Sequence, residues 1–107
     1  MNLRTPIALY IEAENSGDAN LLDQCFAEKA VVSDENETYE GLAAIKKWKA
    51  ETKKKYQHNV DPVKVVEKHG NFVVTNRLTG TFPGSPIELE FVFTVSGNKI
   101  FSLEILS

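Results

Sequence analysis

A single cysteine, Cys25, stands in the chain, so no internal disulfide can form and no CxxC spacing offers a metal or redox pair. Long apolar runs are missing as well. None approaches the ~20 residues that span a bilayer, and no apolar stretch follows Arg4 as it would in a signal peptide. There is no basic excess: 12 Lys and Arg face 15 Asp and Glu, for a net charge of −3, which argues against a nucleic-acid footprint. Ser33 lacks a GxSxG elbow, and Cys25 sits on an apolar helical face, so neither reads as an activated nucleophile. His58 and His69 have no second His, Cys or carboxylate at ligand spacing. Repeats, low-complexity segments and linkers are absent too. These absences point to one soluble cytoplasmic domain over residues 1–107, with no metal, no cofactor, no nucleic acid and no membrane.

What is present is ordinary globular composition, 42% apolar and 25% charged, in 107 residues. Thr5-Pro6 reads as a helix start with Thr5 as cap. Ile7, Tyr10, Ile11 and Glu14 then share one mostly apolar face, and Ser16-Gly17 ends the helix. Asp18 caps a second helix with apolar positions Leu21, Leu22, Cys25 and Phe26. Residues 30–34 form a short strand, 35–37 a turn and 38–40 a brief return. A third helix runs from Leu42 to about Tyr56, with its lysines (46, 47, 49, 53, 54 and 55) crowded toward the C-terminal end, where the dipole favours cations. Four strands follow, at 60–67, 71–82, 87–96 and 99–106, separated by Gly- and Pro-containing turns. Short connections make an antiparallel meander the economical topology. The class is therefore α+β: three helices packed in the concave face of a curved, mostly antiparallel sheet.

Several residues carry candidate roles. Asp34, at a strand end, is either a general base in an apolar pocket or the residue that closes the following turn. Tyr10 either offers its hydroxyl to a ligand or is a satisfied core tyrosine. Trp48 and Tyr56 lie eight residues apart, near one helical face, as core or pocket wall. Arg77 lies mid-strand between Thr75 and Thr79, as a buried anion contact or a solvated edge.

The order of elements resembles the nuclear transport factor 2-like superfamily. Asn15-Ser16-Gly17-Asp18, residues 25–32 from Cys25-Phe26 to Val31-Val32, and Tyr39-Glu40-Gly41 followed by Ala44-Ile45 and Trp48 carry the likeness. Together they look like its SnoaL-like, polyketide cyclase-like branch, which includes relatives of ketosteroid isomerase. The resemblance implies a cystatin-like cone around a pocket for a small apolar molecule, and a fold that hosts isomerases, cyclases and binding proteins alike. It also places Tyr10 and Asp34 where ketosteroid isomerases hold a pocket tyrosine and a base. Leu89 falls where those enzymes carry a second acid, with Phe91 beside it on the same strand as pocket wall.

Two functions follow from this as alternatives: a cofactor-free isomerase or cyclase using Asp34 and Tyr10, or a non-catalytic ligand-binding or interaction module. A homodimer through the outer sheet face is expected in either case, with Arg77 and Thr79 meeting Glu88 and Glu90 across a two-fold axis.

Overall fold

The computed structural model describes residues 2–106, the side chain of Tyr56 excepted. Helix α1 spans Thr5–Ser16, α2 Ala19–Cys25 and α3 Leu42–Tyr56. The strands are β1 Phe26–Asp34, β2 Glu37–Glu40, β3 Asn59–Lys68, β4 Asn71–Thr79, β5 Ile87–Ser96 and β6 Lys99–Leu106. They form one sheet in the order β2-β1-β6-β5-β4-β3. The meander over β3 to β6 is antiparallel as expected, but β1 joins β6 in parallel, a pairing that local alternation does not encode. Register shifts in three of the pairings mark where strands bend, which curves the sheet around the helices.

Local chemistry explains most boundaries. Gly17 takes the left-handed conformation, φ 75°, and its N–H returns to the Ala13 carbonyl, ending α1. The Asp18 side chain accepts from the Asn20 N–H at 2.9 Å and starts α2. Thr5 does not cap α1; it is the first helical residue, and no side chain fills that place. Strand β1 starts at Phe26 rather than 30, and Phe26 is buried there with its ring edge-on to Tyr10. Strand β4 ends at Thr79, three residues early. Gly80 donates instead to the Ser85 hydroxyl at 3.0 Å and closes a loop over residues 80–86.

Period-2 alternation decides which face of the sheet is covered. Phe72, Val74, Phe91, Phe93, Leu103 and Val32 are buried, and they meet in cross-strand register, with Phe72 opposite Phe93 and Phe93 opposite Leu103. Tyr10 of α1 stands at the centre, its ring 5.5 Å from Phe93, 5.7 Å from Phe26 and 6.3 Å from Phe91 between centroids. The outer face carries Lys64, Val66, Val73, Thr75, Arg77, Glu88, Glu90 and Val92. No described helix is long and apolar enough to cross a membrane.

This register makes adjacent positions on β5 unequal. Phe93→Ala should cost about 3–5 kcal/mol, whereas Thr94→Ala, on the exposed face, should stay within about 0.5 kcal/mol. Urea denaturation of both variants checks this, and equal losses would contradict the register.

Candidate functional site

The helices do not fill the concave face completely. Between α3 and the part of the sheet where β4 ends, β5 begins and β6 ends, they leave a cavity of about 440 Å³ whose apolar walls include Trp48, Leu78, Phe82, Leu89, Phe91 and Ile105. That size suits a small ligand. Into it face Asp34, Glu14, Lys49, His58 and Thr52, with Glu35 and Pro83 at its margin. Asp34 arrives there by alternation: Val32 is buried on the inner face of β1, so Asp34, two residues on, shares that face at the strand end. Glu35 and Asn36 then turn the hairpin with positive φ, 53° and 65°, the conformation a two-residue hairpin loop requires.

Asp34 accepts a hydrogen bond from the Trp48 indole N–H at 3.1 Å on Oδ2. Burial pushes its carboxyl above the ordinary aspartate range; the Trp48 bond pulls the other way, and the neighbouring Glu35 charge adds to the push. Trp48 in turn stacks on Tyr39, centroids 5.7 Å apart, which fixes the indole that holds Asp34.

The deeper polar group is Glu14, 1% exposed. Its Oε1 lies 2.7 Å from Lys49 Nζ and 2.8 Å from His58 Nε2, and its Oε2 accepts from the Tyr10 hydroxyl. Burial alone would raise this carboxyl. The Lys49 charge and the His58 hydrogen bond overcome that and hold it at about 2, so Glu14 is ionised at neutral pH. Lys49 Nζ also lies 3.9 Å from the Trp48 ring centroid, a cation–π contact that links the two carboxylates through one indole. Asn15, next to Glu14, clamps α1 to β3: it donates to the Val60 carbonyl at 2.9 Å and accepts the Val60 N–H at 2.7 Å. That clamp sets Glu14 opposite His58. Lys53 donates to the His58 carbonyl and fixes its backbone.

The structure brings Asp34, Trp48, Leu89 and Phe91 to the cavity as expected. Tyr10 is not among its lining residues. Its hydroxyl is committed to Glu14, and burial together with that charge raises its pKa well above 10, so it supports the site from behind. Arg77 is exposed on the outer face, opposite Glu88 and Asp61 in register, because alternation gives the inner face to Asn76 and Leu78. The expectation for the Tyr56 side chain lies outside the described residues.

Glu14, Lys49, His58, Thr52 and the loop residue Phe82 were not foreseen as site residues. Glu14 had a signal, a carboxylate on an apolar helical face. Lys49 was hidden in a lysine-rich run, although it follows the buried Ile45 at i+4 and is 6% exposed. His58 finds its carboxylate 44 residues upstream, a distance no local spacing reveals. Among the described residues no cluster of three His, Cys, Asp or Glu side chains could hold a metal.

A family model, the SnoaL-like domain, matches residues 7–103. The chain belongs to the SnoaL-like family. A proposed polyketide cyclase from Sinorhizobium meliloti is 32% identical, with a TM-score of 0.92 over 96% of this chain and 94% of that one. A proposed isomerase of the SnoaL-like family from Agrobacterium tumefaciens is 18% identical, with a TM-score of 0.80 over 96% and 95% of the two chains. A hypothetical protein from Catenulispora acidiphila with a ketosteroid isomerase-like fold, in complex with trimethylamine, is also 18% identical, with a TM-score of 0.85 over 99% and 87%. These last two share the fold with this SnoaL-like chain. No curated protein matches it.

Two outcomes test the electrostatics. Glu14→Gln should destabilise by about 3–5 kcal/mol, since it leaves the Lys49 charge buried without its partner, and a Glu14→Leu/Lys49→Met double variant should lose less than the single. Chemical denaturation of the set at pH 7 decides it. Asp34→Asn should behave in the opposite sense. A carboxyl raised in the folded state favours folding below its unfolded pKa, and that contribution disappears as pH rises through the folded value. The Asn variant should therefore melt at or above the wild-type temperature at pH 7 and show no gain at pH 3, which thermal scans at both pH values will check.

Proposed function

We propose that this chain is a cofactor-free acid–base catalyst that abstracts a proton next to the carbonyl of a small, apolar compound, as an isomerase or cyclase does. The observation that carries this reading is the opposite tuning of two carboxylates at one cavity. Asp34 is pushed up by burial at an apolar wall, whereas Glu14 is held at about 2 by Lys49 and His58. Environments that drive paired titratable groups apart assign their roles. Glu14, committed to three donors, is too weak a base to take a carbon-bound proton. Asp34 has one side-chain donor, Trp48, and sits where its basicity is increased, so it takes the role of base. The Sinorhizobium relative, a proposed polyketide cyclase, supports a substrate rich in carbonyl groups. The apolar walls support a hydrocarbon body.

Leu89 favours a second reading. It lines the cavity with no acid at its place, which suits a module that holds the same compound without turnover. One experiment separates the two. The α-hydrogens of 2-tetralone, a small enolisable ketone, should exchange with D2O faster in the presence of the protein, and Asp34→Asn should lower that rate by about 10²-fold or more. Proton NMR follows the exchange. Binding of the ketone without acceleration would leave the binding module standing and refute the catalyst.

We also propose a second copy of this chain as cover for the outer sheet face. Val66, Val73 and Val92 form one cross-strand row there, flanked by Lys64, Arg77, Glu88 and Glu90. A patch that carries both signs around an apolar row can complement itself across a two-fold axis. Sedimentation should give twice the 11.9 kDa chain mass, and a monomer unchanged on concentrating would refute the dimer.

A further inference from the structure

We propose that Phe82, in the loop between β4 and β5, is the end wall of the cavity and sets the size of the compound it takes, so that a body of two or three fused rings is admitted and one of four is refused. This rests on the reading of the cavity as the ligand site, and it holds for a catalyst and for a binding module alike.

The cavity has a closed end and an open one, and strand β5 shows the direction. Phe91, Leu89 and Ile87 share one face of that strand, and all three line the cavity. Phe91 is 1% exposed, Leu89 is half-buried and Ile87 is 39% exposed. Burial therefore fades toward the start of the strand. On β4, Val74 opposite Phe91 is buried, whereas Leu78 opposite Ile87 is half-buried. Both strands give out on the same side, and the loop over residues 80–86 joins them there.

Local chemistry holds that loop in shape. Residues Phe82-Pro83-Gly84-Ser85 follow the pattern of a type II turn. Pro83 precedes Gly84, which takes a positive φ of 88°, and the Ser85 N–H donates to the Phe82 carbonyl at 3.3 Å. The Ser85 hydroxyl also accepts from the Gly80 N–H at 3.0 Å, so Ser85 ties the chain on both sides of Phe82. Thr81, Pro83 and Pro86 are exposed in this loop, while Phe82 is half-buried and turned to the cavity. With its backbone held in this way, Phe82 presents its ring to the open end from a fixed place.

Volume then decides what fits. The cavity, about 440 Å³, is roughly three times the ~150 Å³ that encloses one benzene in an apolar core. Two or three fused rings fill such a space. A fourth would have to take the place of the Phe82 ring, and a misfit of that kind is worth about tenfold or more in affinity. Phe82→Ala removes a benzene-sized group and returns the room for one ring.

The test uses the full chain with 2-naphthol, which has two rings, and 1-hydroxypyrene, which has four and the same single hydroxyl. Trp48 is the one tryptophan and lines the cavity, so its indole N–H resonance in ¹⁵N-labelled protein reports occupancy. In the wild-type protein 2-naphthol should shift that resonance, and 1-hydroxypyrene should need at least about tenfold more for the same shift. Phe82→Ala should bring the two compounds within about threefold of each other. Phe82→Leu, which keeps most of the bulk, should keep most of the gap, and 2-naphthol should bind both variants within about fivefold of wild type. A wild-type protein that takes both compounds equally, a gap that Phe82→Ala leaves unchanged, or an equal loss of the gap in Phe82→Leu would overturn the assignment while leaving the cavity as the ligand site. A wild-type indole resonance that ignores 2-naphthol would instead contradict the cavity as the ligand site, and the assignment would fall with it.

Discussion

A carboxylate cut off from water has to be held by donors, and in this chain that requirement organises the site. Glu14 lies on the core-facing side of α1 and gathers Lys49 from α3, His58 from just before β3 and Tyr10 from its own helix. Lys49 and His58, 35 and 44 residues further along the chain, are thereby tied to α1. A buried ion pair is poor evidence for stability, because its desolvation cost is offset only when every remaining hydrogen-bonding position is used. Here the Glu14 contacts come from Lys49 and His58, which line the cavity, and from Tyr10 behind it. The arrangement makes most sense as a way of fixing those side chains, with Asn15 clamping the helix that carries it.

The chemistry follows from a contrast in environment. Both Glu14 and Asp34 face the same cavity, and burial pushes both upward. For Glu14 the push is overcome by a cation and an imidazole; for Asp34 it prevails, opposed mainly by one indole N–H. One carboxylate is therefore a permanent charge, and the other is held above the ordinary aspartate range. Trp48 touches both arrangements, donating to Asp34 and lying under the Lys49 ammonium, so its place in the wall couples the two ends of the site.

Much of the fold was legible because periodicity reports burial. Alternation along Leu89, Phe91 and Phe93 identified the inner face of β5, and turn residues marked β5 and β6 at their observed ends. The parallel β1–β6 pairing was hidden, since it depends on how far the helices carry the chain between them. That Asp34, Trp48, Leu89 and Phe91 border one cavity was legible through family likeness and alternation. Arg77 was left between a buried anion contact and a solvated edge, because a charged residue amid threonines reads the same from either face until register is known. Lys49 and His58 were hidden for a different reason. Their significance lies wholly in Glu14, and a single buried carboxylate on an amphipathic helix does not announce which distant residues will neutralise it.

The central claim is that Glu14 stays ionised in the core and holds the inner end of the site. Carbon-13 NMR of the Glu14 side-chain carboxyl between pH 6 and pH 2 tests it most directly. The account predicts no inflection in the ordinary glutamate range near ~4.3, the carboxylate signal persisting toward about 2 or until the protein unfolds. A clean titration near ~4.3 in the folded protein would contradict it.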